Sequence, residues 1–208
     1  MTADTATPVD FSNIQVKIRP GQVLYLPGQD MSPEGFYEFC LQNAELRIER
    51  DANGKIEIMP PTTSETGHYN AEISGELFIW NRQAKLGKVF DSSTGFTLPN
   101  GAERSPDAAW ITNERWERLS SIDRKKFASI TPDFILELRS ADQSLNALRE
   151  KMDEYMTSGC RLGWLIDPQN RRTYIYSENG DIQTVSFDTA LSGGEVLPGF
   201  ELRLREVF

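Results

Sequence analysis

Hydrophobic positions along the chain follow two periods, and the switches between them outline the elements. Leu46 and Ile48 alternate with charged residues, Asn53-Gly54 supplies a turn, and Ile56 and Ile58 alternate again. That pattern predicts a β-hairpin with a slightly lengthened loop. The spacing then changes to three and four. Tyr69, Ile73, Leu77, Trp80 and Ala84 form the apolar stripe of a long helix from about Ser64 to Lys85. On the same wheel Glu65, His68, Glu72, Glu76 and Gln83 fall along one flank of that stripe.

Upstream, Ser32-Pro33-Glu34 caps a short helix reaching about Asn43, with Phe36, Phe39 and Cys40 on one side. Downstream, KVFDSS, GFTL and SPDAAWI, within 87–111, read as short strands with Asn100-Gly101 as a turn. Two short helices or turns follow over 112–128. Ser144 begins a helix to about Ser158 whose stripe is Leu145, Leu148, Met152, Tyr155 and Met156, and Gly159 closes it. LGWLIDP is a buried strand ended by Pro168. TYIYSENGDIQTVSF is a hairpin across Asn179-Gly180, and PGFELRLREVF a final strand with alternating Leu202 and Leu204.

One segment breaks both periods. In TPDFILELRS, residues 131–140, Phe134, Ile135, Leu136 and Leu138 make an apolar run, yet Glu137 sits inside it and Arg139 follows. Continuous apolar strands lie in sheets covered on both faces, where a carboxylate is costly unless something neutralises it. Strand alternation puts Glu137 and Arg139 on one face and Leu136 and Leu138 on the other.

Composition narrows what Glu137 is there to hold. The chain has 208 residues, 38% of them apolar, with no repeats or linkers, which suits one domain over 1–208 with a loose tail and lead-in over 1–20. The pattern of elements makes it α/β (α+β), a sheet flanked by helices. Net charge is −9, which argues against non-specific binding to polyanions. Cys40 and Cys160 stand far apart and His68 is the single histidine, so a Cys/His zinc site and a Ser-His-Asp triad have little to work with. A reduced, cytoplasmic protein is expected. MTADTATPVD lacks the basic start and apolar run of a signal peptide, and no apolar stretch reaches membrane-spanning length.

Three carboxylates remain as candidates: Asp107 after Ser105-Pro106, Glu137 in its strand, and Glu72 on the side of the long helix. Converging carboxylates ionise together only around a cation, and hard oxygen ligands select Mg²⁺ or Mn²⁺. Each residue also has an ordinary role open to it: Asp107 as a strand start, Glu137 as partner of Arg139 or a lysine, Glu72 and Glu76 as a solvated flank. Lys151 can serve as a snorkelling surface lysine.

Taken in order, SPDAAW, PDFILELRS, the helix ALREKMDEYMTSG and the strand RLGWLIDP resemble the Uma2 family, a bacterial group within the PD-(D/E)xK nuclease superfamily. The resemblance spans roughly Glu65 to Tyr176. It implies a restriction-endonuclease-like core over about 65–176, a central mixed β-sheet flanked by helices, here with an added N-terminal helix and hairpin. It implies that Asp107 and Glu137 bind Mg²⁺ or Mn²⁺, with the Leu138 carbonyl as a further ligand and Glu72 as the acidic residue of the preceding helix. Arg139 stands where the superfamily motif has lysine, and an arginine is no general base. Lys151 matches the lysine that family members carry in the next helix.

The activity so implied is metal-dependent hydrolysis of DNA phosphodiester bonds, with Asp107, Glu137, Arg139 and Lys151 as the catalytic set. Arg139 would stabilise charge in the transition state, and Arg104, Arg115, Arg118, Arg124, Lys125 and Lys126 would supply a basic strip for DNA. Restriction-type nucleases commonly pair, so a homodimer is expected by analogy. Two other outcomes stay open: a catalytically inactive nuclease-fold interaction module, and a phosphodiesterase acting on RNA or a small substrate.

Overall fold

The computed structural model describes residues 31–208 together with the short strand β1 (Val23–Leu24). The tail expected over residues 1–20 lies outside the described residues.

Capping chemistry starts each helix where the sequence pattern predicts. The Ser32 hydroxyl accepts from the Gly35 N–H at 3.1 Å, and Pro33 occupies the first position of α1 (Pro33–Gln42). A hairpin follows, β2 (Arg47–Arg50) and β3 (Ile56–Met59). Leu46 stops short of the strand and is exposed, whereas Ile48 is buried with Ile56 and Phe36. Thr63 caps α2 (Ser64–Ala84), which ends at Lys85 in a left-handed conformation.

Next come β4 (Gly87–Asp91), β5 (Phe96–Thr97), β6 (Glu103–Arg104) and β7 (Ala108–Thr112), then α3 (Asn113–Arg118) and a 3-10 turn at Asp123–Lys125. The Glu137 segment is β8 (Phe134–Leu138), joined through α4 (Leu145–Thr157) to β9 (Leu162–Asp167). The hairpin β10 (Arg172–Ser177) and β11 (Ile182–Ser186) completes the sheet, and β12 (Leu191–Ser192) pairs with β13 (Glu201–Leu202) beside it.

The central sheet is mixed and runs β11-β10-β9-β8-β7-β4, with β8 and β9 parallel and the other neighbours antiparallel. The parallel pair needs the α4 crossover. A second sheet, β1-β3-β2-β6-β5, brings the early hairpin against the strand that leads into β7.

The two faces of the central sheet feed separate cores. On one, Ile73 and Leu77 of α2 pack with Trp110, Phe134, Leu136 and Trp164. On the other, Leu148, Met152 and Tyr155 of α4 pack with Ala109, Ile111, Ile135 and Leu165. A Cβ on Gly163 would meet Met152 Cε at 2.5 Å, so glycine lets α4 sit close on β9. With β8 buried on both faces, alternation sends Glu137 to the α4 side with Ile135.

The chain end departs from the single strand expected over PGFELRLREVF. Only Glu201–Leu202 pairs as strand, and the backbone then turns into a 3-10 segment at Leu204–Glu206. Both leucines are buried regardless, because the turn folds Phe208 back so that its N–H bonds the Leu204 carbonyl and its ring packs on Tyr69 and Phe187. Among the described residues no helix is long and apolar enough to cross a membrane.

Candidate catalytic cleft

Strand register brings the two carboxylates of the sheet together. β7 and β8 pair Ala108 with Leu136, and one step further along that register Asp107 stands across from Glu137. Asp107 is held at the strand entrance: its Oδ2 accepts from the Leu138 N–H at 2.8 Å, and its Oδ1 lies 3.5 Å from the Asn70 amide nitrogen on α2.

Helix α4 supplies the cation. Lys151 and Tyr155, one turn apart, point at the sheet together. Lys151 Nζ sits 2.9 Å from Glu137 Oε1 and 2.9 Å from Glu49 Oε1. The Tyr155 hydroxyl donates to Glu137 Oε1 at 3.1 Å. Glu49 comes from β2 and also accepts from the Ser105 N–H at 2.9 Å and from Arg104 Nη1 at 3.3 Å. Arg104 in turn donates to Glu154, which Asn100 also meets.

These neighbours set the charges. Burial pushes Glu137 up to about 7, against the pull of Lys151 and with the further push of Asp107 and Glu49. Burial likewise raises Asp107, with the Leu138 N–H, Lys151 and Arg47 opposing it. Glu49 ends below the usual carboxylate range, because Lys151, Arg104 and the Ser105 N–H outweigh its burial. Lys151 is raised: burial favours the neutral amine, but Glu137 and Glu49 hold the ammonium form.

The group opens on a cleft of about 320 Å³ whose walls include Asp107, Glu137, Lys151, Asn70, Arg47 and Gln143. Of the residues expected from sequence, Asp107, Glu137, Leu138 and Lys151 line it together. Glu72 and Arg139 do not. Glu72 is exposed on α2, and Asn70 is the helix residue that reaches Asp107. Arg139 follows the last residue of β8 and turns away, with Nη1 3.1 Å from both carboxylate oxygens of Asp167 and Nε donating to the Gln143 carbonyl at 3.0 Å.

The basic strip is largely committed elsewhere. Arg104 is buried on Glu49 and Glu154, Arg115 pairs with Asp133, Arg118 with Glu114, and Lys126 with Glu34, while Arg124 lies over the Trp116 ring. His68 is exposed and stacks near Tyr69. Glu49 and Arg47 escaped the sequence reading. β2 is buried at three successive positions, Ile48, Glu49 and Arg50, so alternation alone put Glu49 on a solvated face.

The groups that could hold a cation here are Asp107, Glu137 and the carbonyl of Leu138, all hard oxygens. Both hydrogen bonds of Glu137 among the described residues fall on Oε1, which leaves Oε2 for a ligand role. No group of three or more His, Cys, Asp and Glu side chains arranged to hold a metal occurs among the described residues. Two carboxylates and a carbonyl form a sparse set, which suits Mg²⁺ because that ion keeps several waters.

A family model described as "Uma2: Putative restriction endonuclease" matches residues 33–205. No curated protein matches the chain. Among solved structures it is similar to "a putative nuclease belonging to DUF820 from Anabaena variabilis ATCC 29413", with a TM-score of 0.71 at 18% identity over 86% of this chain and 97% of that one. At that identity the likeness is one of fold.

Proposed function

The chain belongs to the Uma2 family, and we propose on the chemistry of its cleft that it is a metal-dependent endonuclease hydrolysing DNA phosphodiester bonds. The observation that supports this most is the contact of Lys151 with Glu137 beside Asp107. Two sheet carboxylates and a charged amine from a helix share one cleft wall, groups that can hold a cation and stabilise charge on a phosphate.

Asp107, Glu137 and the Leu138 carbonyl would hold Mg²⁺ or Mn²⁺, which supplies Lewis acidity to the scissile phosphate. The chain's own groups do the rest. To serve as a ligand Glu137 would have to be ionised, releasing its proton to solvent. Lys151, held in the ammonium form by Glu49 and Glu137, acts as an electrostatic donor to the attacking water or a phosphate oxygen and not as a base. Tyr155 orients Glu137, and Asn70 orients Asp107. Arg139 keeps the 139–143 turn in shape through Asp167 and Gln143. A cytoplasmic homodimer would present one such cleft to each DNA strand.

The test pairs a thermal melt with a plasmid-cleavage assay, in wild type and Glu137→Gln. At about a hundred times its dissociation constant, Mg²⁺ should stabilise wild type by about 2.7 kcal/mol. The variant should fold, gain nothing from Mg²⁺ and leave DNA intact. A wild type that neither responds to Mg²⁺ or Mn²⁺ nor cuts would end this reading in favour of an inactive module.

A further inference from the structure

Arg47 and Lys151 are the cations on the cleft wall among the described residues. Lys151 already has two carboxylate partners, Glu49 and Glu137. Arg47 makes no ion pair or hydrogen bond with any described residue, and its Nε is shielded from solvent without an acceptor. The arginines around it are all paired: Arg50 with Glu103, Arg104 with Glu49 and Glu154, Arg139 with Asp167.

Strand register fixes where Arg47 faces. Arg47 pairs with Met59 and Glu49 with Glu57, so these four share the cleft-facing side of the hairpin, while Ile48 and Ile56 turn to the Phe36 cluster. The Arg47 charge reaches Asp107, whose ionised form it favours. A guanidinium brings five donors in a planar fork and cannot shed its proton. The Arg47 charge also favours the ionised form of Asp91, yet among the described residues no carboxylate is hydrogen-bonded to it and its shielded Nε is unmet, so the fork is open to an anion. The fork matches two oxygens of a phosphate.

We propose that Arg47 is the phosphate clamp of the cleft, gripping nonbridging oxygens of the nucleic-acid backbone beside Asp107 and Lys151. This rests on the phosphodiesterase reading above. In that arrangement the hairpin β2–β3 is the substrate-binding wall and α4 the catalytic one. It also explains how a chain of net charge −9 would hold DNA: through a placed guanidinium inside the site, with its general surface contributing little.

Fluorescence anisotropy of a labelled DNA duplex, in metal-free buffer over a salt series, tests the clamp with wild type, Arg47→Ala and Arg47→Lys. Arg47→Ala should bind about tenfold more weakly and lower the slope of log affinity against log salt by about one. Its melting temperature should change little, since among the described residues Arg47 makes no hydrogen bond or ion pair to lose. Arg47→Lys should keep the slope but regain only part of the affinity, having lost the fork. Wild-type affinity and slope in Arg47→Ala would overturn the clamp and leave the nuclease reading standing. Failure of wild type to bind duplex or single-stranded DNA would remove both.

Discussion

Lys151 reaches from α4 to set its ammonium 2.9 Å from Glu137 Oε1 on the central sheet. The same nitrogen is 2.9 Å from Glu49 Oε1, so one cation from a late helix ties the core sheet to the N-terminal hairpin. The link joins stability to chemistry, because whatever frees Lys151 for a phosphate also loosens the seat of the hairpin.

Removing that amine should therefore show first as lost stability. Lys151→Ala leaves Glu137 and Glu49 facing each other, with Arg104 on Glu49 and Arg47 near Asp107 as the nearby cations. Breaking a buried pair costs about 3–5 kcal/mol, and the low end is expected because Glu137 can take up a proton. Urea unfolding measures the loss, and Mg²⁺ should restore part of it by replacing the missing charge. A variant as stable as wild type would show that the Lys151 bridge contributes nothing net.

Metal binding should be linked to protons. Glu137 titrates at about 7 in the folded protein, against an ordinary value of 4.5. Between those values the native state keeps a proton that the unfolded chain releases. Its contribution to stability is therefore present at low pH and lost as pH rises through the window. A cation needs the carboxylate, so the melting-point gain from Mg²⁺ should be small near about pH 6 and grow toward about pH 8. The metal-free protein should show the opposite trend from this group. A Mg²⁺ response independent of pH would contradict the assignment of Glu137 as a ligand.

Arg139 should matter to the fold more than to turnover per folded molecule. Its guanidinium is the partner of Asp167, which is fully buried, and it braces the Gln143 carbonyl. Arg139→Ala leaves that aspartate with Asn170 alone among these partners and should cost about 3 kcal/mol. Cleavage rates normalised to folded protein should fall far less than in Lys151→Ala. A large rate loss with unchanged stability would instead place Arg139 in the transition state.

Much of the site was legible from local pattern because strands and helices impose their own geometry. Glu137 inside an apolar run announced a buried carboxylate, and alternation along β8 gave its face. The spacing of Leu148, Met152 and Tyr155 placed Lys151 on the border of a buried stripe, from which a long side chain can reach the sheet. Glu72 was drawn in by the same helical wheel, yet it lies beyond the stripe and stays in water. The seven residues LRIERDA around Glu49 read as a half-exposed strand, and no local signal says otherwise.

The amino-acid sequence by itself determined most of the elements through periodicity and capping, and its ordered motifs, through their resemblance to a family, singled out Asp107, Glu137 and Lys151 as candidates. The tertiary structure alone decided that Glu49 completes the Lys151 bridge, that Asn70 serves Asp107, that Asp167 holds Arg139, and that Arg47 faces the cleft with no hydrogen bond or ion pair to any described residue. Those four outcomes depend on which surfaces of distant elements come into contact. Partners between 28 and 102 positions apart are chosen by packing, and packing is a property of the assembled sheets.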